Sequence, residues 1–182
     1  MVRIRVHGRG GEGAVTFAHI LCASATYDGK FGQSCMGPAF ERRGAPVEAF
    51  ARIGDKRVAE RGAIPNPDIV VVLNPALVPS VNVEAGLSEN GKLVVNSVKD
   101  LKLKHQATYI DATSIALEIL KVPITNTVML GAFAAATGLV SLPSLEKGAR
   151  LMLARFSEEK LKRNFEAIKA GYEEVKSGKG IR

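Results

Sequence analysis

A glycine-rich segment near the start of the chain constrains the fold more than any other feature. Residues 8–13 read Gly-Arg-Gly-Gly-Glu-Gly; they follow an alternating apolar run at residues 2–6 and precede a helix-like stretch at residues 14–28. A strand, a glycine-rich turn and a helix in this order are typical of sites that hold a phosphate against backbone amides and the positive end of a helix. The same pattern occurs where a strand and a helix simply pack closely, so both explanations stay open.

A dinucleotide site also needs an acidic residue about 20 residues beyond the glycine-rich turn, where it holds the ribose hydroxyls. The corresponding region, residues 31–35, reads Phe-Gly-Gln-Ser-Cys and contains no carboxylate. Asp28 comes too early, in the turn between the helix and the next strand. A free-standing NAD-dependent dehydrogenase is therefore the weaker hypothesis.

The composition predicts one compact domain over residues 1–182. The hydrophobic content of 46% is sufficient for a buried core in a chain of this length. The charged content of 24% is typical of a globular protein. We find neither a signal peptide nor an apolar run of membrane-spanning length, so we expect a cytoplasmic protein without a membrane contact. Cys22 and Cys35 belong to no CxxC or Cys/His cluster, and we expect reduced structural thiols and no metal site.

The formal net charge of +7 raises the question of nucleic-acid binding. The basic residues are dispersed, aromatic residues make up only 5%, and no nucleic-acid-binding motif is present, so we expect no nucleic-acid partner. A diffuse positive charge suits a polyanionic small molecule or an acidic partner protein equally well, and an ordinary solvated surface also explains it.

The order of apolar runs and turn residues predicts alternating strands and helices. Residues 69–73 form an uninterrupted apolar run, typical of a strand covered on both faces. We predict an α/β fold with a Rossmann-like, mostly parallel sheet flanked by helices and a helical C-terminal part. Further strands are predicted at residues 31–36, 47–53, 92–96 and 107–110, and helical segments at residues 84–89, 112–120, 126–138, 145–156 and beyond Ser157.

A second informative segment spans residues 33–47, far longer than the roughly 4 to 6 residues of an ordinary connection. Arg42 and Arg43 are adjacent here between glycines and prolines, and two arginines can clamp a phosphate or carboxylate. Alternatively, Glu41 pairs with one arginine and the segment only covers a sheet edge. Both interpretations remain possible from the sequence.

Taken together, these segments resemble the gamma subunit of archaeal and bacterial pyruvate:ferredoxin oxidoreductases. The resemblance covers essentially the whole chain. It rests on Gly-Arg-Gly-Gly-Glu-Gly-Ala-Val-Thr at 8–16, Gly-Lys at 29–30 with Gln33-Ser34, Glu-Arg-Arg-Gly-Ala-Pro-Val at 41–47, Pro67-Asp68, Asn126 ahead of Leu130-Gly131-Ala132, and Lys160 with Asn164 and Gly171. One departure is Glu12, where the family commonly has glutamine. We expect this carboxylate to repel a nearby phosphate while leaving the backbone amides of the turn available.

The resemblance implies a subunit of a multi-chain pyruvate synthase, which oxidatively decarboxylates pyruvate with coenzyme A to acetyl-CoA and CO₂ and reduces ferredoxin. A related enzyme for branched-chain 2-oxoacids is the alternative. The implied partners are alpha, beta and delta subunits, with ferredoxin acting through the complex. Thiamine diphosphate with Mg is then held by alpha and beta, and the iron–sulfur clusters chiefly by delta. Consistently, this chain has no cysteine set for a cluster.

By the same resemblance, the chain contributes part of the coenzyme A site and no catalytic residue or tightly bound cofactor. The glycine-rich turn and Ser34 are expected near the diphosphate or pantetheine arm, the arginines supply charge, and Asn126 supplies an amide. The expected residues are Gly8, Gly10, Gly11, Gly13, Ser34, Arg42, Arg43 and Asn126. A free-standing nucleotide-binding protein and a noncatalytic assembly protein are the other hypotheses.

Overall fold

The computed structural model describes residues 1–37 and 43–178. Within these residues one α-helix lies between strands and the other four follow the last strand, so the predicted alternation of strands and helices holds only at the start of the chain. The strands are β1 (Val2–Arg9), β2 (Phe31–Met36), β3 (Pro46–Gly54), β4 (Ile69–Val72), β5 (Lys92–Asn96) and β6 (Ala107–Ile110). The helices are α1 (Ala14–Tyr27), α2 (Ala112–Leu120), α3 (Asn126–Thr137), α4 (Leu142–Met152) and α5 (Glu158–Lys176), with a short 3-10 helix at Pro75–Leu77.

The six strands form one mixed sheet in the order β2-β3-β1-β4-β5-β6. β1, β4, β5 and β6 pair in parallel, whereas β3 runs antiparallel to both β1 and β2. The predicted α/β class and mostly parallel sheet are confirmed. In a dinucleotide-binding fold the second strand lies directly beside the first. Here β3 separates β2 from β1, so β2 cannot present an acidic residue to a ligand held at the end of β1.

All five helices contribute to one apolar core on a single face of the sheet. In β1, Ile4 and Val6 point into this core, and Ala49 and Ala51 of β3 do the same. Side chains alternate between the two faces of a strand, so Arg5 and His7 point to the opposite face. The sheet therefore has one face covered by α-helices and one face without α-helices among the described residues.

Irregular segments cover this second face. Val83 and Leu87 pack there against the strand residues Val70 and Val95. The helix predicted at residues 84–89 is wrong, because this region consists of turns. Gly86 has a left-handed φ of 69°, and a Cβ at that position would collide with the carbonyl oxygen of Pro65. Left-handed backbone interrupts a right-handed helix, and the close approach allows the segment to lie flat on the sheet.

Arg5 holds these irregular segments against β1. Its side chain is only 5% exposed. Its Nη1 donates to the carbonyl oxygens of Ile64 and Pro65 at 3.3 and 3.4 Å, and its Nη2 donates to those of Val83 and Ala85 at 3.1 and 2.6 Å. Buried carbonyl groups outside regular structure need such partners, and a charged donor supplies the stronger kind.

Side-chain caps stand at the starts of three helices. Asp111 accepts from the backbone N–H of Ser114 at α2, and Ser157 accepts from that of Lys160 at α5. α4 starts three residues before its predicted start, at Leu142, because Ser141 caps it and Pro143 stands in its first turn. No helix within residues 1–37 and 43–178 is long and apolar enough to cross a membrane.

α3 and α5 approach each other closely through two glycines. A Cβ at Gly131 of α3 would collide with the carbonyl oxygen of Ile168, and one at Gly171 of α5 would collide with that of Val128. Glycine in the interior of a helix normally lowers stability. It is tolerated at these two positions because any larger residue would force the two helix backbones apart. This contact holds α5 against the first half of α3.

His7 is neutral in the folded protein. Burial first, and then the positive charge of Arg5, lowers the pKa of His7 from 6.5 to about 3. Its Nε2 accepts from Nε of Arg5 at 3.0 Å. The ring proton of the neutral form therefore lies on Nδ1, which is 3.6 Å from Oε1 of Glu48.

We expect acid to destabilise the fold through His7. The unfolded chain protonates this histidine near pH 6.5 and the folded chain only near pH 3, so stability present above pH 6.5 is lost as the pH falls through this window. The loss reaches at most about 1.4 kcal/mol per pH unit. In His7→Gln the amide oxygen still accepts from Arg5, and urea unfolding between pH 7 and pH 4 should show a smaller loss. Equal losses in both proteins would contradict this assignment.

Candidate functional site

The glycine-rich turn and residues 43–45 of the second segment lie side by side at the end of β1. The backbone N–H of Gly10 donates to Ala45 O at 2.9 Å, and that of Gly44 donates to Gly10 O at 3.1 Å. Gly11 and Gly13 adopt left-handed φ angles of 95° and 86°, and Gly13 is the N-cap residue of α1. These angles require glycine, because other residues are strained there.

Glu12 folds back into the glycine-rich turn. Its Oε2 accepts from the backbone N–H of Arg9 at 2.7 Å, and its Oε1 accepts from Nδ2 of Asn74 at 2.5 Å. The expectation that Glu12 leaves the turn amides available is therefore wrong for Arg9, because the carboxylate itself takes that amide. A bound anion would have to use amides closer to α1.

Gly8 and Gly10 have structural roles. A Cβ at Gly8 would lie 3.3 Å from Cβ of Ala14 and 3.4 Å from Cδ1 of Leu73, so Gly8 permits the close strand–helix contact. Both backbone groups of Gly10 are used in the bonds to residues 43–45. The packing explanation of the glycine-rich turn thus holds for its first half.

The second half of the turn opens into a groove of about 450 Å³. Its walls are the start of α1, the connection between α2 and α3, the start of α3, and the junction of α4 with α5. The lining residues are Gly11, Gly13, Thr16, Leu120, Val122, Ile124, Asn126, Thr127, Leu153, Arg155, Phe156, Lys160, Arg163 and Asn164. Polar groups and cations thus face an apolar wall across one cavity.

The inner end of the groove presents hydrogen-bond donors without partners. α1 has no side-chain cap, so the amides of its first turn keep their positive potential. Asn126 packs against Gly13; its Oδ1 accepts from Thr127 N at 2.9 Å, and its Nδ2 has no partner among the described residues. The hydroxyl of Thr127, a residue that is 1% exposed, also makes no hydrogen bond. Buried polar groups without partners indicate a site that a ligand completes.

The outer wall of the groove is positively charged. Lys160, Arg163 and Asn164 occupy positions i, i+3 and i+4 of α5 and therefore share one helix face. Arg155 adds a third cation, while Arg163 also pairs with Glu159 at 2.6 Å. Several cations around a partly enclosed cavity attract a polyanion more strongly than dispersed surface charges do.

The structure brings together only some of the predicted site residues. Gly11, Gly13 and Asn126 line the groove. Ser34 does not, because it pairs with Ala51 on the far side of β3 and lines a separate shallow pocket beside Cys22. The backbone of Arg43 bridges to Gly10, but its exposed side chain is not among the groove residues. Arg42 lies outside the described residues.

Both cysteines are free, as predicted. Cys22 is buried and Cys35 is half-buried. Burial raises the pKa of the Cys22 thiol to about 12, so the thiol stays protonated and unreactive near neutral pH. This chain therefore offers no activated cysteine nucleophile at Cys22.

Among the groove residues that sequence reasoning did not assign to the site are Thr127, Arg155, Lys160 and Arg163. Thr127 gives no sequence signal, because an orphaned hydroxyl is visible only in three dimensions. Lys160 and Arg163 belong to the last helix, whose basic residues were counted as dispersed charge, and Lys160 was otherwise noted only as a position of the resemblance. Arg155 was not singled out. The helical spacing of residues 160, 163 and 164 was the available signal for a common face.

The mixed sheet and the groove define an α/β protein with a basic cavity at a helix N-terminus, suited to a polyanionic ligand. The chain belongs to the pyruvate ferredoxin/flavodoxin oxidoreductase family, whose family model matches residues 3–174. The resemblance inferred from the sequence is thereby confirmed.

Individual relatives agree over nearly their full length. The chain is 49% identical over 176 residues to pyruvate synthase subunit PorC of Methanocaldococcus jannaschii, covering 96% of this chain and 97% of that protein. It is 47% identical over 183 residues to the pyruvate/ketoisovalerate oxidoreductases common subunit gamma of Thermococcus litoralis, covering 96% and 97%. The crystal structure of pyruvate oxidoreductase subunit PORC from Thermotoga maritima has a TM-score of 0.82 at 39% identity, covering 94% and 95%.

We expect Glu12→Ala to lower the free energy of unfolding by about 2 to 3 kcal/mol, because two hydrogen bonds to a charged acceptor are lost. Glu12→Gln should lose less. The carbonyl oxygen of the glutamine side chain can still accept from Arg9 N, but its amide nitrogen then faces Nδ2 of Asn74, and two donors cannot bond to each other. Asn74 cannot turn its amide around without losing the bond that its Oδ1 accepts from Ala76 N. Urea unfolding of the three proteins measures the difference. An alanine variant within about 0.5 kcal/mol of the wild type would show that Glu12 does not hold the turn.

Proposed function

We propose that this chain is the gamma subunit of a pyruvate synthase, which converts pyruvate, coenzyme A and oxidised ferredoxin to acetyl-CoA, CO₂ and reduced ferredoxin. The supporting observation is 49% identity to a PorC subunit over 96% of the chain. We propose that residues 1–182 act as one domain in the cytoplasm, beside alpha, beta and delta subunits. In this proposal the partners hold thiamine diphosphate, Mg and the iron–sulfur clusters.

A second candidate is a gamma subunit that serves an oxidoreductase for branched-chain 2-oxoacids. The relative from Thermococcus litoralis, 47% identical, is named as a subunit common to pyruvate and ketoisovalerate oxidoreductases. The groove has no feature that selects between these acids, because its polar groups suit phosphates rather than a short 2-oxoacid side chain. Substrate choice would then belong to the partner subunits that hold the thiamine cofactor.

We infer that the groove binds part of coenzyme A. Coenzyme A carries a diphosphate and a ribose phosphate, and the three cations Arg155, Lys160 and Arg163 lie in one wall of the groove. Phosphate groups pair well with arginine and lysine and with the amides at a helix N-terminus. The three cations beside the uncapped N-terminus of α1 carry this inference, and the buried hydroxyl of Thr127, which has no hydrogen-bond partner among the described residues, is a further candidate donor there.

Each part of the groove has a defined task in this proposal. Gly11 and Gly13 let the backbone approach the ligand, and Asn126 donates its amide. The apolar wall of Leu120, Val122 and Ile124 suits an uncharged section of coenzyme A, because contact there removes apolar surface from water. Coenzyme A itself supplies the thiol that receives the acyl group. The chain thus positions the cosubstrate, and we assign no proton transfer to it.

This proposal favours coenzyme A over NAD and over a purely structural role. A dinucleotide needs an acidic residue on a strand beside β1, and β3 occupies that position with no acid at the groove. A noncatalytic assembly subunit needs no enclosed donors, whereas this groove encloses two side chains with unpaired donors.

Anaerobic affinity purification of the chain from its native cell tests the enzyme assignment. We expect thiamine-binding and iron–sulfur subunits at equal stoichiometry, and coenzyme A-dependent ferredoxin reduction with pyruvate. Faster reduction with 2-ketoisovalerate would select the second candidate. Recovery of the chain alone, without such subunits, would contradict both.

In the assembled enzyme we expect Arg163→Gln to raise the KM for coenzyme A by about tenfold, because a charge-assisted bond to phosphate is lost. The kcat should change little, since the residue is remote from any acyl transfer in this proposal. Lys162→Gln is the matched control: it removes the same charge from α5, but Lys162 is exposed and absent from the groove. Equal KM values in the two variants would remove the groove from the coenzyme A site.

A further inference from the structure

Two arginines face each other on the sheet surface that lacks helices. Arg3 of β1 and Arg52 of β3 are direct partners in the antiparallel register, so both side chains emerge on the same face. Like charges in directly opposite positions destabilise a sheet unless an anion compensates them. Both residues line a cavity of about 280 Å³, together with Glu60 and residues 63–66.

Arg52 is buried with one unused donor. The residue is 3% exposed. Its Nη1 donates to Oε1 of Gln33 at 3.1 Å, and its Nη2 donates to the carbonyl oxygens of Gly62 and Ala63 at 3.0 and 3.2 Å. Its Nε is buried and makes no hydrogen bond with any residue in the described part of the chain. Oε2 of Glu60 lies 3.7 Å from this Nε, which is too long for a hydrogen bond.

The guanidinium of Arg3 has no protein partner among the described residues. It makes no hydrogen bond or ion pair within residues 1–37 and 43–178; Oδ2 of Asp68 accepts from the backbone N–H of Arg3 at 2.7 Å and not from its side chain. Arg5 lies on the same face, but its Nε and both of its Nη atoms already donate to partners. The charged side chains that line the cavity are therefore two arginines and Glu60, whose side chain is 57% exposed.

We propose that the cavity between Arg3 and Arg52 binds a carboxylate. A carboxylate matches the planar fork of a guanidinium, accepts from the buried Nε of Arg52, and places negative charge between two facing cations. The carboxylate of Glu60 near Nε shows that this chemistry suits the site, although its position beyond hydrogen-bond distance and its exposure make it a weak partner. The source is either an aspartate or glutamate side chain of a partner chain or a free small organic acid.

This site is separate from the groove. Arg3 lies near the start of β1, and the glycine-rich turn follows its end, so about 20 Å of strand separates them. The groove also lies on the helical side of the sheet. The carboxylate site therefore stands independently of the coenzyme A proposal.

Titration of the full chain with sodium acetate at constant ionic strength tests the proposal. The NMR signal of the Arg52 Nε–H group reports binding. We expect a saturable shift of this signal. Arg3→Gln should weaken acetate binding by about tenfold, because one of the two cations is lost. Glu60→Gln should strengthen it by about threefold, because a competing carboxylate is removed. The matched control Lys56→Gln removes a charge from an exposed turn and should leave the affinity unchanged.

The same variants distinguish the two sources in the assembled enzyme. If a partner chain supplies the carboxylate, acetate no longer binds in the complex, and Arg3→Gln lowers the retention of partner subunits. If a free acid is the ligand, acetate still binds in the complex with the affinity of the isolated chain. An Arg52 signal that shifts without saturation, or an Arg3→Gln variant with wild-type affinity, would overturn the proposal.

Discussion

The one-sided arrangement of helices is the constraint on which the rest of this structure depends. With all five described helices on one face, irregular segments must cover the other, and their carbonyl groups need donors in the absence of a helical hydrogen-bond pattern. Arg5 supplies four of these hydrogen bonds from within β1. Arg52 does the same for Gly62 and Ala63 from β3. Burying a charged arginine is costly, but the cost is offset where each donor meets a carbonyl group.

The same asymmetry separates two kinds of surface. The helical side brings the starts of α1 and α3 together at the end of β1, and α5 is held close by the glycine contacts with α3. Helix N-termini and cations thus meet in one groove, which suits an anion. On the opposite side, every side-chain nitrogen of Arg5 donates a hydrogen bond to the protein. The side chains of Arg3 and Arg52 keep donors without a hydrogen-bond partner among the described residues. This difference in hydrogen-bond satisfaction separates a packing arginine from a candidate binding arginine.

The glycine-rich turn shows how a familiar pattern divides into separate tasks. Its first half allows β1 and α1 to pack, and Glu12 closes it by accepting from Arg9 and Asn74. Only Gly11 and Gly13 face the groove. The groups that make the groove suitable for an anionic ligand come mostly from elsewhere in the chain, at Asn126, Thr127 and the positively charged face of α5. The glycine pattern alone would therefore assign the whole turn to the binding site, although only Gly11 and Gly13 of the turn line the groove.

The sequence by itself determined the α/β class, the β-strand positions, most helix positions and the family, because hydrophobic periodicity, turn residues and motif blocks are local signals. It also pointed to Gly11, Gly13 and Asn126. Only the tertiary structure decided the position of β3 between β1 and β2, the one-sided layering and the turns at residues 84–89, because these depend on strand pairing and close backbone approach. It likewise removed Ser34 from the groove and added Thr127, Arg155, Lys160 and Arg163, since a cavity joins residues that are far apart in the chain.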